Sequence, residues 1–350
     1  MNIHKMELPK TVIVGNNILR KLSEIYQPLS SSKNIVLITG PHVFKKYYDE
    51  ISNGIDKIDK IPKYFVYEAS WDTINEIYNS ILKRHRKVEY IIGMGGGKSI
   101  DVAKMISYKL GSKFISIPTA PSHDGIASQF VSIRDTKQAY SYLTKPPVGI
   151  IVDIEVVASA PKRLIASGVG DIIAKITAVK DWYLAKIRRN EYYGDYAANL
   201  ALLSAKMVIK HSTGIGRYDK DSIRVLVEAL ISSGVAAGIA GSSRPCSGSE
   251  HLFSHALDIY SNEHALHGEQ CGVGTIIMAY LHKISYEKIV RALKNAGAPT
   301  NAEELGISGK NIVKALVNAT AVRPDRYTIL NEVKMDERFA KKVIKEVGII

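Results

Sequence analysis

Cysteine is nearly missing: the 350-residue chain holds only Cys246 and Cys271, too few for a disulfide framework. Two buried, inert thiols are the simpler reading, and metal ligation is the other, since the pair flanks a group of histidines. No uncharged apolar run approaches the roughly 20 residues needed to span a bilayer. Lys5, Glu7 and Lys10 interrupt any stretch that could act as a secretion signal. A cytoplasmic chain without membrane insertion is therefore expected. Repeats, low-complexity tracts, zinc-finger spacing and basic-aromatic modules are absent as well. The formal charge of +13 thus comes without the motifs of a nucleic-acid binder, and no nucleic-acid partner is expected. Its densest basic run, Lys83, Arg84, Arg86 and Lys87, reads as a solvated face. The same charge steers anionic small molecules toward a positive cleft, phosphorylated substrates and dinucleotides among them.

Apolar residues make up 46% of the chain, enough at this length for two cores. Apolar, β-branched runs at 34–40 (NIVLITG), 88–97 (VEYIIGMGGG) and 113–121 (KFISIPTAP) end in Gly, Pro or Thr and read as strands. Amphipathic stretches at 73–84 and 98–110 lie between them and read as helices. This alternation predicts a parallel sheet with both faces covered. A further run, 148–157 (VGIIVDIEVV), reads as the last strand and the exit from the sheet. After Pro161 the texture becomes Ala- and Leu-rich, with helical spacing over 163–185, 196–211 and 222–240. The expected architecture is an α/β domain over 1–155 and an all-helical domain over 156–350.

Between strand and helix stands the turn GMGGGKSID, residues 93–101. A Walker loop would need Gly where Ile92 stands, and a strict dinucleotide fingerprint would need Gly where Lys98 stands. Four glycines still exceed what a plain turn requires. They clear side chains where backbone approaches a ligand, and the helix that follows, starting near Ser99, aims its N–H groups at any phosphate there. Downstream, IPTAPSHDGIASQF (117–130) leaves the next strand as a second loop on the same carboxyl edge, where open parallel sheets bind ligands. A dinucleotide site across the two loops follows.

Four of the ten histidines fall within HLFSHALDIYSNEHALHGE (251–269). His251 and His255 are four apart on a helical stretch and share a face; His264 and His267, three apart, are expected to do the same. Catalytic metal sites take three protein ligands and leave a position open. Asp171, in ASGVGDIIAK, is the carboxylate that stands out as a partner, with a helix N-cap as its ordinary role. Spacing alone does not choose the ligand triplet.

Taken in order, GMGGGKSID, PTAPSHDG, SGVGDIIAK, RPCSGSEHLFSHALD and LHGEQCGVGT resemble the iron- and zinc-dependent glycerol dehydrogenase and dehydroquinate synthase superfamily. The likeness runs to VRPDRYTIL (322–330) and looks strongest to the archaeal branch acting on sn-glycerol 1-phosphate. It implies an N-terminal Rossmann-like domain, a C-terminal helical domain and an active site between them. By the same likeness Asp171, His251 and His267 hold one divalent metal, zinc foremost. Gly97, Lys98, Ser99, Ile100 and Asp101 contact NAD or NADP, as do Thr119, Ala120, Pro121, Ser122 and Ser128. Asp124, Asp171 and His255 line the substrate, with His255 and Asp124 catalytic. The implied reaction is NAD(P)H-linked reduction of dihydroxyacetone phosphate to sn-glycerol 1-phosphate, which supplies the backbone of archaeal ether lipids. The enzyme is expected to be a homo-oligomer.

Two features depart from the usual pattern. Many NAD-specific members carry an acid after the strand ending LITG, but here Pro41 and His42 follow, with Lys45 and Lys46 nearby, so NADPH is expected to be accepted beside NADH. The substrate phosphate has no obvious holder, with Arg244 a candidate and a surface arginine its ordinary reading. A dehydroquinate synthase-like lyase is the rival from another class, although that group usually has glutamate where this chain has Asp171. Simple glycerol dehydrogenase is the nearer rival.

Overall fold

A computed structural model describes residues 4–32, 34–55, 58–134 and 139–350. The β-branched runs form six parallel strands: β1 (Thr11–Gly15), β2 (Ile35–Thr39), β3 (Lys63–Phe65), β4 (Tyr90–Gly95), β5 (Lys113–Pro118) and β8 (Gly149–Asp153). Their spatial order is β1, β8, β5, β4, β2, β3. In β2 the side chains alternate: Ile35 and Leu37 face one core, Val36 and Ile38 the other. Helices α1 (Trp71–Arg84) and α2 (Gly97–Leu110) cover the second of these faces with Ile74, Ile77, Val102 and Ile106. That double cover is why the central strands read as unbroken apolar runs. The strand read as the last one is last in sequence only. β1, half exposed and too weakly patterned to be found, pairs outside β8 and places it within the sheet. An antiparallel hairpin of β6 (Phe130–Arg134) and β7 (Ala139–Leu143) was also not foreseen; its Val131 and Ile133 pack on the α2 side.

The run 148–157 is strand only as far as Asp153. The Asp153 carboxylate then accepts the Glu155 N–H at 3.0 Å and caps a short helix, Ile154–Ala158. Every element beyond it is helical. The helix read over 163–185 is two, α3 (Lys162–Ile173) and α4 (Lys175–Arg189), with a turn at Ala174 between them. There the Thr177 N–H donates to the Ala174 carbonyl at 3.1 Å, which tightens the turn. Next come α5 (Asp195–Gly216), α6 (Lys220–Ala240), α7 (Ser249–Tyr260), α8 (His267–Leu281) and α9 (Gly309–Val322). Among the described residues, α6 is the one helix long and apolar enough to cross a membrane. It is instead buried, with Ile223, Leu226, Val227 and Leu230 in the large helical core.

Two features of this fold position the site. First, strand order reverses between β2 and β4, so the loops leaving these strands lie side by side. A Cβ on Gly40, after β2, would stand 3.7 Å from Ser99 Oγ, after β4. Second, α3 and α8 cross glycine to glycine: a Cβ on Gly170 would strike the Gly268 carbonyl, and one on Gly268 the Ser167 carbonyl. These two glycines adjoin Asp171 and His267, and their contact brings the two side chains together. Gly168 has a similar role, since a Cβ there would strike the Pro121 carbonyl of the loop after β5.

Candidate active site

On the sheet side the turn after β4 consists of backbone. Gly95 has φ +147°, a conformation that side chains resist, and a Cβ there would also stand 2.8 Å from Ser99 Oγ. Gly93 has a packing reason, because a Cβ would meet Ala103 and Phe114. Gly96 faces open space, consistent with the approach of a ligand. α2 begins at Gly97, two residues before Ser99, and Gly96 makes no side-chain cap. Gly97, Lys98 and Ser99 therefore present the uncapped N–H groups of the first turn. Lys98 is exposed and Ser99 buried. Ile100 differs, for its N–H already bonds to the Gly96 carbonyl at 3.2 Å and its side chain lies in the core. Asp101 accepts the Ser132 N–H at 3.2 Å, and its other oxygen is buried without a hydrogen-bond partner, 3.8 Å from Lys104 Nζ.

The adjoining loop is pinned in place. Thr119 N–H donates to the Gly95 carbonyl at 2.9 Å, and Ala120, Pro121 and Ser122 are buried, the Ser122 carbonyl accepting from Ser167 Oγ at 3.3 Å. Ser128 is buried too, its hydroxyl 3.4 Å from the Phe130 carbonyl. The buried Lys104 ammonium donates to the Gly125 carbonyl at 2.6 Å and the Phe130 carbonyl at 2.8 Å, tying both ends of the loop to α2.

On the helical side, His251 and His255 share the buried face of α7, each 7% exposed. His267 opens α8. His264 stands exposed in the preceding loop, so the expected shared helical face of His264 and His267 does not form. The sequence spacing of three was real, but no helix spans it. Nor is Asp171 an N-cap: it occupies the last turn of α3, fully buried.

Both histidines have a fixed tautomer. His251 Nδ1 donates to the Glu250 carboxylate at 2.8 Å, and that carboxylate also accepts from the Gly248 N–H and the Thr177 hydroxyl at 2.7 Å. Ser254 Oγ donates to Gln270 Oε1 at 2.7 Å, leaving its lone pairs to accept from His267 Nδ1 at 3.2 Å. With a cation in place of the second ring proton, each Nε2 would present its lone pair, as a metal ligand must. His251 Nε2 stands 3.6 Å from Asp171 Oδ1, and the two imidazole centroids are 5.0 Å apart. Donors held about 2.0–2.3 Å from one tetrahedral ion stand about 3.3–3.6 Å apart, so this spacing suits a shared ion. His251, His267 and Cys271 offer donor atoms that all lie within 4.8 Å of one another. Burial pulls His251 down, but Cys271, Asp171 and Glu250 outweigh it and raise its pKa well above the usual value. The local field thus favours positive charge, and these residues fit a divalent cation.

Lys175, unforeseen, joins the two sides. Fully buried one turn after Asp171, its ammonium lies 2.9 Å from Asp171 Oδ1 and 2.8 Å from Asp124 Oδ2. Burial opposes its charge, but the two carboxylates hold its pKa well above that of an ordinary lysine. Burial likewise opposes Asp171, whose carboxyl Lys175 and His251 nevertheless hold well below the usual range. The second Asp171 oxygen accepts the Asp124 N–H at 2.9 Å, and each oxygen keeps a further lone pair. His255 is different: burial, helped by His251, Arg323 and Arg326, brings it down to about 3. It is a neutral imidazole whose Nδ1 is buried without a partner.

Arg244 is neither a surface residue nor free. It is 4% exposed, forks onto both Glu191 carboxylate oxygens and donates to the Tyr327 carbonyl at 2.9 Å. The cue for Lys175 was its place four residues after Asp171 on a helical stretch. Glu250 and Ser254 carried no cue beyond adjacency to the histidines.

A family model described as iron-containing alcohol dehydrogenase matches residues 13–161. Two curated relatives are both called glycerol-1-phosphate dehydrogenase [NAD(P)+]. The one from Metallosphaera sedula is 49% identical, covering 100% of each chain; the one from Thermococcus sibiricus is 46% identical, covering 100% of this chain and 99% of its own. A probable glycerol dehydrogenase from Sinorhizobium meliloti 1021 shares the fold, with a TM-score of 0.79 at 18% identity over 99% of this chain and 98% of that one.

Proposed function

The chain belongs to the glycerol-1-phosphate dehydrogenases within the iron-containing alcohol dehydrogenase family and is an NAD(P)-linked oxidoreductase; on that premise we propose that it reduces dihydroxyacetone phosphate to sn-glycerol 1-phosphate for ether-lipid synthesis. The observation that carries this reading is the meeting of Asp171, His251 and His267 from three helices, next to the buried, unpartnered His255. Asp171, His251 and His267 would hold the metal, one carboxylate and two imidazoles suiting zinc, iron or nickel. Residues 1–155 form the cofactor unit and 156–350 the metal and substrate unit of a cytoplasmic homo-oligomer.

NAD(P)H, when bound, would supply a hydride to the ketone carbon, whose oxygen would take up one proton. When bound, the divalent ion supplies a Lewis acid that polarises this carbonyl. The N–H groups of Gly97, Lys98 and Ser99 hold the cofactor diphosphate at the helix N-terminus. Thr119 to Ser122 and Ser128 border the nicotinamide end. His255, being neutral, has one N–H and one lone pair, so it can give a proton to the oxygen at one nitrogen and accept a replacement at the other. Lys175 keeps Asp171 ionised and, bridging both carboxylates, would fix Asp124 at the substrate. The reversal between β2 and β4 sets Pro41, His42 and Lys45 beside the cofactor turn with no acid among them, which supports use of NADPH alongside NADH.

The test is an assay of NADH and NADPH oxidation with dihydroxyacetone phosphate, followed by chiral analysis of the product. Stoichiometric oxidation yielding the sn-1 isomer is expected. The sn-3 isomer, or equal activity on unphosphorylated dihydroxyacetone, would overturn the reading.

A further inference from the structure

A substrate phosphate needs a cation that no carboxylate already holds, and Arg244 is taken by Glu191. Two further arginines, Arg323 and Arg326, follow the last turn of α9. α7 and α9 pack together with opposite ends adjacent, because Arg326, beyond the end of α9, reaches the loop that opens α7. Its guanidinium donates to the Ser247 carbonyl and, at 2.8 Å, to Ser243 Oγ. Three residues on, the Ile329 N–H and the Ser249 N–H meet on one carboxylate, Asp181, at 2.7 and 2.6 Å. Arg323 and Arg326 are thereby set at the end of α7 that carries His251 and His255. His255 feels both, since each helps to bring its pKa down.

Neither arginine has a counter-ion of its own. Arg326 is 6% exposed, yet among the described residues no carboxylate forms an ion pair with it, and its two hydrogen bonds leave three of the five guanidinium N–H groups free. A buried charge left in this way is costly: burial, Arg323 and Arg244 outweigh Glu191 and Asp325 and bring it down to about 9. Arg323 is half-buried, and its one carboxylate neighbour, Asp325 at 3.6 Å, has a side chain 75% exposed. Such a pair contributes little and gives way to a better anion. We propose that Arg323 and Arg326 together hold the substrate phosphate and so set the preference for a phosphorylated ketone. The proposal rests on the function read above and names the residues that define its substrate class. A planar guanidinium presents paired N–H groups to two phosphate oxygens, and the dianion supplies the charge that this pair lacks.

The test measures KM and kcat for dihydroxyacetone phosphate, inhibition by inorganic phosphate, NADPH affinity and metal content in Arg323→Gln and in Arg326→Lys, which keeps the charge and loses the fork. Inorganic phosphate should compete with the substrate in the wild type. In each variant the KM and the phosphate inhibition constant should rise together, by about ten- to a hundredfold, with kcat, NADPH affinity and metal content nearly unchanged. If Arg326→Lys does not fold, Arg323→Gln decides alone. A fall in kcat with both constants unmoved would give the arginines a structural role and overturn the proposal. So would weakened NADPH binding in place of weakened phosphate binding. If the wild type shows no preference for the phosphorylated ketone, the function read above falls and this proposal with it; a preference kept in both variants removes the proposal alone.

Discussion

The sheet side and the helical side of the site are built from opposite materials. From Gly95 to Ser99 the chain removes side chains: a positive φ, an open face at Gly96 and an uncapped helix end leave backbone N–H groups for the proposed cofactor binding. At Asp171, His251 and His267 everything rests on side chains, each set by other side chains: Glu250 behind His251, Ser254 and Gln270 behind His267, and Lys175 behind Asp171. Backbone binding tolerates loss of any neighbouring side chain but not the gain of one. Side-chain binding behaves the other way, because a supporting partner removed from a buried polar network leaves its neighbour unanchored.

The sharpest way to break this contrast is to cut the helical side directly. His251→Ala should release the metal and lower turnover by roughly a thousandfold, read by metal analysis and by NAD(P)H oxidation. Retained metal at one per chain would count against the ligand set. His255→Ala should keep the metal and lower turnover by about a hundredfold, separating binding of the ion from handling of the substrate. Glu250→Gln probes the support alone: metal affinity should weaken about ten- to a hundredfold while cofactor binding stays unchanged. On the sheet side, Gly95→Ala should weaken NAD(P)H binding by about tenfold, from strain on the order of 1–3 kcal/mol, with metal content unaffected.

The smallest effect is on pH dependence. His255 titrates at about 3 in the fold against an ordinary 6.5. From pH 6.5 downward the unfolded chain binds a proton there that the folded one does not, so acid favours unfolding. This contribution is fully present above pH 6.5 and is lost as pH falls toward 3. Denaturant unfolding of His255→Gln should show a shallower loss of stability over that window than the wild type; an identical slope would show that other groups control it.

The central strands were legible because burial on both faces makes β2, β4, β5 and β8 continuous apolar runs between turn residues. β1 and β3 were not, since one is half exposed and the other three residues long. In the site, His251 and His255 were legible as a pair because a helix does span them. His264 and His267 looked equivalent, but the chain between them is a loop. The spacing of Lys175 from Asp171 was legible but its burial was not, because lysine is ordinarily a surface residue and only the two facing carboxylates make its burial tolerable.

What the sequence determined by itself is local: where the central strands run, where glycine permits a bare turn, and that His251 and His255 share a helical face. These depend on neighbours within one or two turns, which the order of residues specifies directly. Family likeness then supplied the proposed roles. Only the tertiary structure decided which distant groups meet. Asp171 comes within 3.6 Å of His251 on α7, Gly170 and Gly268 let α3 and α8 touch beside His267, and Arg244 is engaged by Glu191. Each is a contact across tens of residues or between two packed helices. Packing selects it by shape and by the cost of leaving a buried polar group unpaired, and no local pattern in the sequence encodes either.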